Sequence, residues 1–250
     1  MGTSSVRRAA MIRRMYPHLK IENVRGNVPT RIRKVDDAEL GFDALVLAGA
    51  GLQRLGMGGR VSSWLGVEEG VLYAVGQGAL GVEWREGDEW VAELLRTVGT
   101  GKRSRRLRWE IVGERSLLRA LEGGCSVPVG VDCVWEDDDA EEAPGHIPEP
   151  EPALTSTMQK KKKEGYEADD AIPPATTDSA HSGLLTLRAM VASLDGKECV
   201  QSSQRHRVGS DQEAEALAFR VYEELVGKGA EEILKKIRLN RDMIEGQDGA

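Results

Sequence analysis

Residues 43–52 read Asp-Ala-Leu-Val-Leu-Ala-Gly-Ala-Gly-Leu, an apolar run that passes through glycines into a second apolar segment. The strand predicted over residues 43–48 is apolar on both faces, which is typical of a strand buried in a parallel sheet. Residues 49–55 are predicted to form a helix. A strand that leads directly into a helix is the unit of an α/β fold, so this stretch sets the predicted fold class.

The same alternation precedes this stretch. A strand is predicted over residues 19–24, and Pro29 suits the first turn of the helix that follows. A helix is also predicted to follow the start signal Thr3-Ser4-Ser5 and to run to about Tyr16, where Pro17 ends it. The N-terminal region is therefore predicted to be an α/β lobe with a parallel or mixed sheet and helices on both faces.

The remaining chain predicts a small α+β domain with an antiparallel sheet. Helices are predicted in this domain over residues 102–121, 212–226 and 231–237. A further helix, predicted over residues 89–98, precedes the domain. Strands are predicted in the domain over residues 127–135, 184–193 and 197–207, and one over residues 80–84 precedes it. Asp195-Gly196 is a hairpin signal between the last two strands, and Asp211 is predicted to cap the next helix. Residues 136–183 hold thirteen acidic residues and few apolar ones, which predicts a disordered insertion.

Charge is distributed unevenly in this chain, whose formal net charge is -7. Residues 1–60 carry eleven Lys and Arg against five Asp and Glu, so their local field attracts anions. The three cysteines include no Cys-x-x-Cys pair and fit a reducing compartment. No apolar run reaches the roughly 18–20 residues that span a bilayer, and residues 1–20 lack the apolar core of a secretory signal. We therefore expect a cytoplasmic protein without membrane contact.

Arginines follow helix-start signals in successive loops. Residues 2–8 read Gly-Thr-Ser-Ser-Val-Arg-Arg, which gathers hydroxyls, helix N–H groups and the guanidiniums of Arg7 and Arg8. Arg25 and Arg31 flank the next such loop, and Arg54 follows the third predicted strand. Loops at the carboxyl ends of strands line the ligand crevice of an α/β sheet, so we predict one anion-binding cleft. Ordinary helix caps and a basic surface loop are the alternatives, while nucleic acid is disfavoured because aromatic residues are scarce.

Cys125 lies in a Gly-Gly-Cys-Ser loop after the long predicted helix. A loop thiol with a lowered pKa can act as a nucleophile or an attachment point, and a small buried apolar cysteine is the alternative. Cys133 and Cys199 lie on predicted strands and are expected in the core. The four histidines, His18, His146, His181 and His206, show no metal-binding spacing, so no metal site is predicted.

Five of these sequence segments follow one another in a fixed order along the chain. They are residues 2–8, Arg-Gly-Asn-Val-Pro-Thr-Arg (25–31), Ala-Gly-Leu-Gln-Arg-Leu-Gly (50–56), Ala-Val-Gly-Gln-Gly-Ala (74–79) and Leu-Glu-Gly-Gly-Cys-Ser-Val-Pro-Val-Gly (121–130). Together they resemble the porphobilinogen deaminase family over nearly the whole chain except residues 136–183. The resemblance implies a lobe like those of periplasmic binding proteins at residues 1–72. It further implies a return segment of the first lobe at 73–100 and a cofactor-attachment domain at 101–250.

The resemblance also implies a function. The family's transferase joins four porphobilinogen units into hydroxymethylbilane, with release of ammonia, in tetrapyrrole and haem biosynthesis. It implies that Cys125 holds a dipyrromethane cofactor through a thioether. The residues implied to bind the cofactor's carboxylates are Thr3, Ser5, Arg7, Arg8, Arg25 and Arg31. Those implied to bind the substrate are Arg7, Arg25, Arg31, Arg54 and Gln77. Porphobilinogen and the linear polypyrrole are the expected partners of a monomer.

One departure from the family pattern bears on activity. The family's first lobe precedes the Gly-Thr-Ser-Ser motif and carries the catalytic aspartate, whereas this sequence has Met1 directly before the motif. We therefore expect an N-terminally truncated chain that alone is inactive and poorly stable, with apolar surface exposed at residues 75–82 and no assignable catalytic residue. A non-catalytic carboxylate-binding module of the solute-binding-protein type and a fragment without function are the alternatives. The insertion is either an inert loop or a regulatory tether.

Overall fold

The fold is α/β, with helices and one antiparallel sheet, in a computed structural model that describes residues 1–96, 101–121, 127–136 and 181–245. The helices are α1 (Val6–Met15), α2 (Val28–Asp36), α3 (Gly49–Arg54), α4 (Glu89–Arg96), α5 (Lys102–Ala120), α6 (Asp211–Gly227) and α7 (Ala230–Glu245). Short 3-10 turns lie at Ala38–Leu40 and Gly58–Arg60. The strands are β1 (Val129–Trp135), β2 (Gly183–Ala192) and β3 (Cys199–Val208). No helix in the described ranges is long and apolar enough to cross a membrane.

The antiparallel sheet has the order β1-β2-β3. Its register pairs Leu187 with Cys133 on one side and with Gln204 on the other, and Trp135 pairs with Leu185 where β1 ends. Buried side chains of α5, α6 and α7 join those of all three strands in one hydrophobic core. The antiparallel sheet predicted for the C-terminal region is confirmed, and β2 begins at Gly183, inside the predicted insertion. Residues 137–180 of that insertion lie outside the described residues.

A glycine turn joins this sheet to the N-terminal region. Gly196 adopts φ of +76° in the β2–β3 turn, and a Cβ added there would lie 2.5 Å from the carbonyl oxygen of Ala10. Arg13 Nη1 donates to the carbonyl oxygen of Leu194 at 3.0 Å. The hairpin turn therefore packs directly on the backbone of α1, and only glycine fits both the conformation and the space.

Residues 1–3 run parallel between two extended segments. Gly2 N–H donates to Ala44 O at 2.8 Å, and Thr3 N–H donates to Glu22 O at 3.0 Å. These contacts are isolated bridges, so the strands predicted over 19–24 and 43–48 are extended but do not form ladders.

Strand β2 closes the core of the N-terminal region as well. Its alternate residues face opposite ways: Ala189 and Val191 belong to the C-terminal core, whereas Met190 packs with Met11 and Ile12 of α1. One strand thus forms a wall shared by two cores. This sharing fixes α1 relative to the C-terminal sheet.

Two local predictions are wrong. The N-cap of α6 is Ser210, whose Oγ accepts from Glu213 N–H at 3.2 Å. Asp211 is instead the first helical residue and forms an ion pair with Arg108 at 2.6 Å. Residues 80–84 do not form a strand, because nothing in the described ranges offers them a partner strand, and Leu80 is 83% exposed.

Candidate functional site

A cleft of about 950 Å³ lies between the N-terminal region and the C-terminal core. Its polar lining consists of Ser5, Arg7, Arg8, Asn27, Arg31 and Gln77. Its apolar lining includes Val75, Leu118, Val127 and Val129. The cleft therefore combines a basic wall, from the N-terminal region, with an apolar wall.

The basic wall is built on two helix N-termini. Ser5 caps α1, and its Oγ accepts from Arg8 N–H at 3.3 Å. Asn27 caps α2, and its Oδ1 accepts from Thr30 N–H at 2.9 Å. Arg31 Nη1 of α2 donates to Ser4 Oγ at 3.2 Å and so connects α2 to the residue that precedes the cap of α1. Helix N-termini carry partial positive charge, which adds to the charge of the arginines.

The three guanidiniums form an uncompensated cluster of positive charge. Arg7 is only 7% exposed and donates through Nη1 to the carbonyl oxygen of Leu72. Burial, and then the charge of Arg8, lower the pKa of Arg7 to about 10. Burial, and then the charge of Arg31, lower the pKa of Arg8 as well. Within the described ranges no carboxylate pairs with any of the three, so a bound anion would relieve their mutual repulsion.

Three residues named by the sequence do not line this cleft. Thr3 is buried beneath the cap, where its Oγ1 accepts from Ser5 N–H at 3.3 Å. Arg25 precedes the cap of α2 and is exposed. Arg54 is exposed, whereas Gly51 of α3 and Leu55, which follows the helix, line the cleft.

Cys125 and His146 lie outside the described residues. The residues on either side of the Cys125 loop border the cleft, because Leu118 and Val127 both line it. Burial raises the pKa of the Cys133 and Cys199 thiols, which disfavours thiolate chemistry at both. Within the described part of the chain, no group of three or more His, Cys, Asp or Glu residues is arranged to hold a metal ion.

Two polar residues near the cleft were missed by the sequence analysis. Asn27 was quoted within a motif but not named as a site residue. Glu114 lies within the helix predicted over residues 102–121 and carried no prediction of its own, yet it is buried, and it accepts from Gly76 N–H at 2.7 Å. A signal for Glu114 existed, since it falls between Ile111 and Leu118 on the apolar stripe of α5.

Comparison with known proteins identifies two domains of one family. The family model described as porphobilinogen deaminase, dipyromethane cofactor binding domain, matches residues 1–93. The model of the porphobilinogen deaminase C-terminal domain matches residues 109–170. The two matches follow each other in chain order and together cover most of the sequence.

Individual relatives agree with the domain matches. The porphobilinogen deaminase of Neurospora crassa is 36% identical over 244 residues, which are 96% of this chain and 58% of the relative. That of Yarrowia lipolytica is 38% identical over 239 residues, 96% of this chain and 56% of the relative. That of a Synechococcus species is 38% identical over 237 residues, 95% of this chain and 57% of the relative. The chain thus spans little more than half the length of these curated relatives, and it belongs to the porphobilinogen deaminase family.

Proposed function

We propose that this chain serves the transferase reaction that joins four porphobilinogen units into hydroxymethylbilane, with release of ammonia, in tetrapyrrole biosynthesis. One observation carries the proposal: Arg7, Arg8 and Arg31, none paired with a carboxylate within the described ranges, converge on one cleft. Porphobilinogen and the linear polypyrrole carry an acetate and a propionate on each ring. Such a ligand supplies the anions that this cluster lacks.

The two walls of the cleft fit the two parts of a polypyrrole. Arg8 and Arg31 bind side-chain carboxylates, because their guanidiniums keep donors that no protein carboxylate occupies. Arg7 uses one of its donors for the carbonyl oxygen of Leu72, and its positive charge lies behind those of Arg8 and Arg31. Val75 and Leu118 contact the faces of the pyrrole rings and exclude water from them.

The same cleft suits a dipyrromethane cofactor, which we propose is attached to Cys125 through a thioether. When bound, this group supplies the pyrrole carbon to which the first porphobilinogen is joined. The apolar wall supports the assignment, since it includes Leu118 and Val127 on the two sides of the Cys125 loop. The arginine cluster on the facing wall accounts for the cofactor's carboxylates.

Finer features of the same proposal rest on local observations. The parallel pairing of residues 1–3 with both 20–22 and 44–46 supports a lobe of the periplasmic-binding-protein type over residues 1–72. Free thiols at Cys133 and Cys199 support a reducing, cytoplasmic location. We propose further that the protein acts as a monomer, since the family's substrate enters a cleft within one chain.

Intact-protein mass spectrometry tests the cofactor assignment directly. The full chain is produced in a host that makes haem, and its mass is expected to exceed that of the sequence by one dipyrromethane. Cys125→Ser is expected to lose this increment, and Cys199→Ser, the matched control, is expected to keep it. An unmodified wild-type chain that binds simple dicarboxylates would refute the transferase assignment and favour a carboxylate-binding module.

A further inference from the structure

Glu114 is a buried carboxylate that the proposed reaction does not use. It lies in α5 and is 1% exposed, and within the described ranges no Lys or Arg pairs with it. Burying a carboxylate without a cation is costly unless hydrogen-bond donors replace water. A carboxyl group retained at this cost is expected to have a task that an apolar residue cannot perform.

The carboxylate is satisfied by donors from the segment that follows Leu72. Its Oε2 accepts from Gly76 N–H at 2.7 Å, and its Oε1 accepts from the Tyr73 hydroxyl at 3.0 Å. The Tyr73 hydroxyl in turn accepts from Cys133 N–H at 2.7 Å. The backbone of Tyr73 also pairs with Val131, with N–H to O distances of 3.0 and 2.9 Å. The segment is thus tied to both α5 and β1.

The residues held in this way form part of the cleft. Ala74, Val75 and Gln77 line it, and the turn between them needs Gly76 at φ of +77°. Gln77 Oε1 accepts from Ala74 N–H at 3.3 Å, so its carbonyl end is used within the turn. Its Nε2 group has no partner among the described residues. The turn therefore presents one free amide donor to the cleft.

We propose that Glu114 is a positioning residue that fixes the turn of residues 73–77, and through it the Gln77 donor, against the bound ligand. The identity of the ligand rests on the proposed function, whereas the fixing of the turn does not. Leu118 lies one helical turn beyond Glu114 and lines the cleft itself. The same stretch of α5 therefore supplies part of the apolar wall and holds the neighbouring part in register.

Ligand affinity tests the proposal, with porphobilinogen titrated into the full chain in a calorimeter. Glu114→Leu is expected to weaken binding about tenfold, since the turn loses its acceptor. Glu114→Gln keeps an oxygen for Gly76 N–H and is expected to retain affinity within about threefold. Glu110→Leu is the matched control, because Glu110 lies one turn earlier and accepts from Trp135 Nε1 at 2.6 Å, away from the turn. It is expected to lower thermal stability while affinity stays unchanged.

A double-mutant cycle separates positioning from general destabilisation. In a Gln77→Ala background, Glu114→Leu is expected to cost little further affinity, because the donor that it positions is already gone. Additive losses would overturn the proposal. Should Glu114→Leu fail to fold, Tyr73→Phe takes its place in the cycle, since it removes the hydroxyl between Glu114 and Cys133 and keeps the ring.

Hydrogen exchange gives a readout that needs no ligand. Exchange at the Gly76 and Gln77 amides is expected to rise about tenfold or more in Glu114→Leu and to stay unchanged in Glu110→Leu. Unchanged exchange in both would overturn the proposal. Failure of the wild-type chain to bind porphobilinogen, with exchange raised as expected, would instead refute the proposed function and leave the fixing of the turn supported.

Discussion

The N-terminal region, residues 1–72, and the C-terminal sheet with α5, α6 and α7 differ in how they are held together. In the C-terminal region, two ladders of paired strands and three helices enclose one continuous core. In the N-terminal region, isolated bridges connect the extended segments, and the small buried cluster is completed by Met190 of β2. Yet the cations that line the cleft all come from the N-terminal region. The cations of the cleft and the larger hydrophobic core therefore lie in different regions of one chain.

This separation has an electrostatic side. The arginine cluster (Arg7, Arg8 and Arg31) destabilises the folded N-terminal region of the free protein, because burial and mutual repulsion both disfavour the charged forms. A ligand that neutralises the cluster binds only the folded region and so stabilises it by mass action. We expect bound ligand to protect the N-terminal region more than the C-terminal one. The following predictions test this comparison, from the largest effect to the smallest.

Truncating one side chain in each of the two cores is expected to destabilise different extents of the chain. Leu187→Ala empties a site in the middle of β2 and is expected to cost roughly 2–5 kcal/mol of global stability. Met11→Ala is expected to cost about 2 kcal/mol, confined to residues 1–72, because that cluster is small and relaxes more readily. Urea unfolding followed by hydrogen exchange distinguishes them. Equal loss of protection throughout the chain in both variants would show that the two regions unfold as one unit.

The contact between the regions is addressed by Gly196→Ala. The added Cβ meets Ala10 O and forces a left-handed residue, so we expect a loss of roughly 2–3 kcal/mol and faster exchange in α1. Gly41→Ala is the control for conformation alone, since Gly41 has φ of +66° and no atom within 4 Å of the added Cβ. It is expected to cost about 1 kcal/mol. Similar losses in both variants would mean that the hairpin contact contributes nothing.

Loss of a cleft cation is expected to affect binding and leave stability nearly unchanged. Arg31→Ala is expected to weaken porphobilinogen binding roughly tenfold, the usual loss for one hydrogen-bonded ion pair. Arg33→Ala, two residues further along α2, is the matched control, because Arg33 is exposed and donates only to Thr30 Oγ1 at 3.3 Å. Isothermal titration checks affinity, and thermal unfolding checks stability. Equal weakening by both variants would indicate a diffuse charge effect in place of a defined site.

The smallest expected effect is a pH dependence confined to the C-terminal region. Glu224 accepts from Lys228 Nζ, from Ser202 Oγ at 2.7 Å and from Gln204 Nε2 at 2.6 Å, which lowers the pKa of its carboxyl from 4.5 to about 2. A lowered folded-state pKa adds stability above pH 4.5 that is lost as the pH falls towards 2.

Glu224→Gln removes this contribution. Its urea midpoint is expected to lie below that of the wild type at pH 7 and to approach it as the pH is lowered from 4.5 towards 2. Glu223→Gln, at the exposed neighbouring position, is the matched control and is expected to follow the wild-type curve. Parallel curves for Glu224→Gln and the wild type would contradict the prediction.

Local signals in the sequence predicted the helices and the C-terminal sheet well. Some signals act only on residues nearby in the chain and can therefore be identified from the sequence. They are the capping residues at Ser5 and before Pro29, and the Asp195-Gly196 turn. Of the loop arginines, Arg7, Arg8 and Arg31 line one cleft and Arg25 and Arg54 do not, while the binding roles of all five stay predictions.

Features that depend on partners far along the chain could not be predicted from the sequence. Whether residues 80–84 form a strand depends on a partner strand, and none lies beside them among the described residues. The exposure of Arg54 depends on which residues of the α3 region line the cleft. Glu114 was overlooked because its donors, Tyr73 and Gly76, come from a segment about forty residues earlier. Long-range pairing of this kind leaves only an indirect trace, a polar residue on an apolar stripe.

The pairing of Trp135 with Leu185 bears on the energetic cost of changing the chain length at this end of the sheet. It holds together the ends of β1 and β2 between which residues 136–182 run. The entropic cost of closing a flexible loop rises by only about 0.6 kcal/mol for each doubling of its length. A change in the number of residues between these two anchors therefore adds little to the free-energy cost of closing the loop.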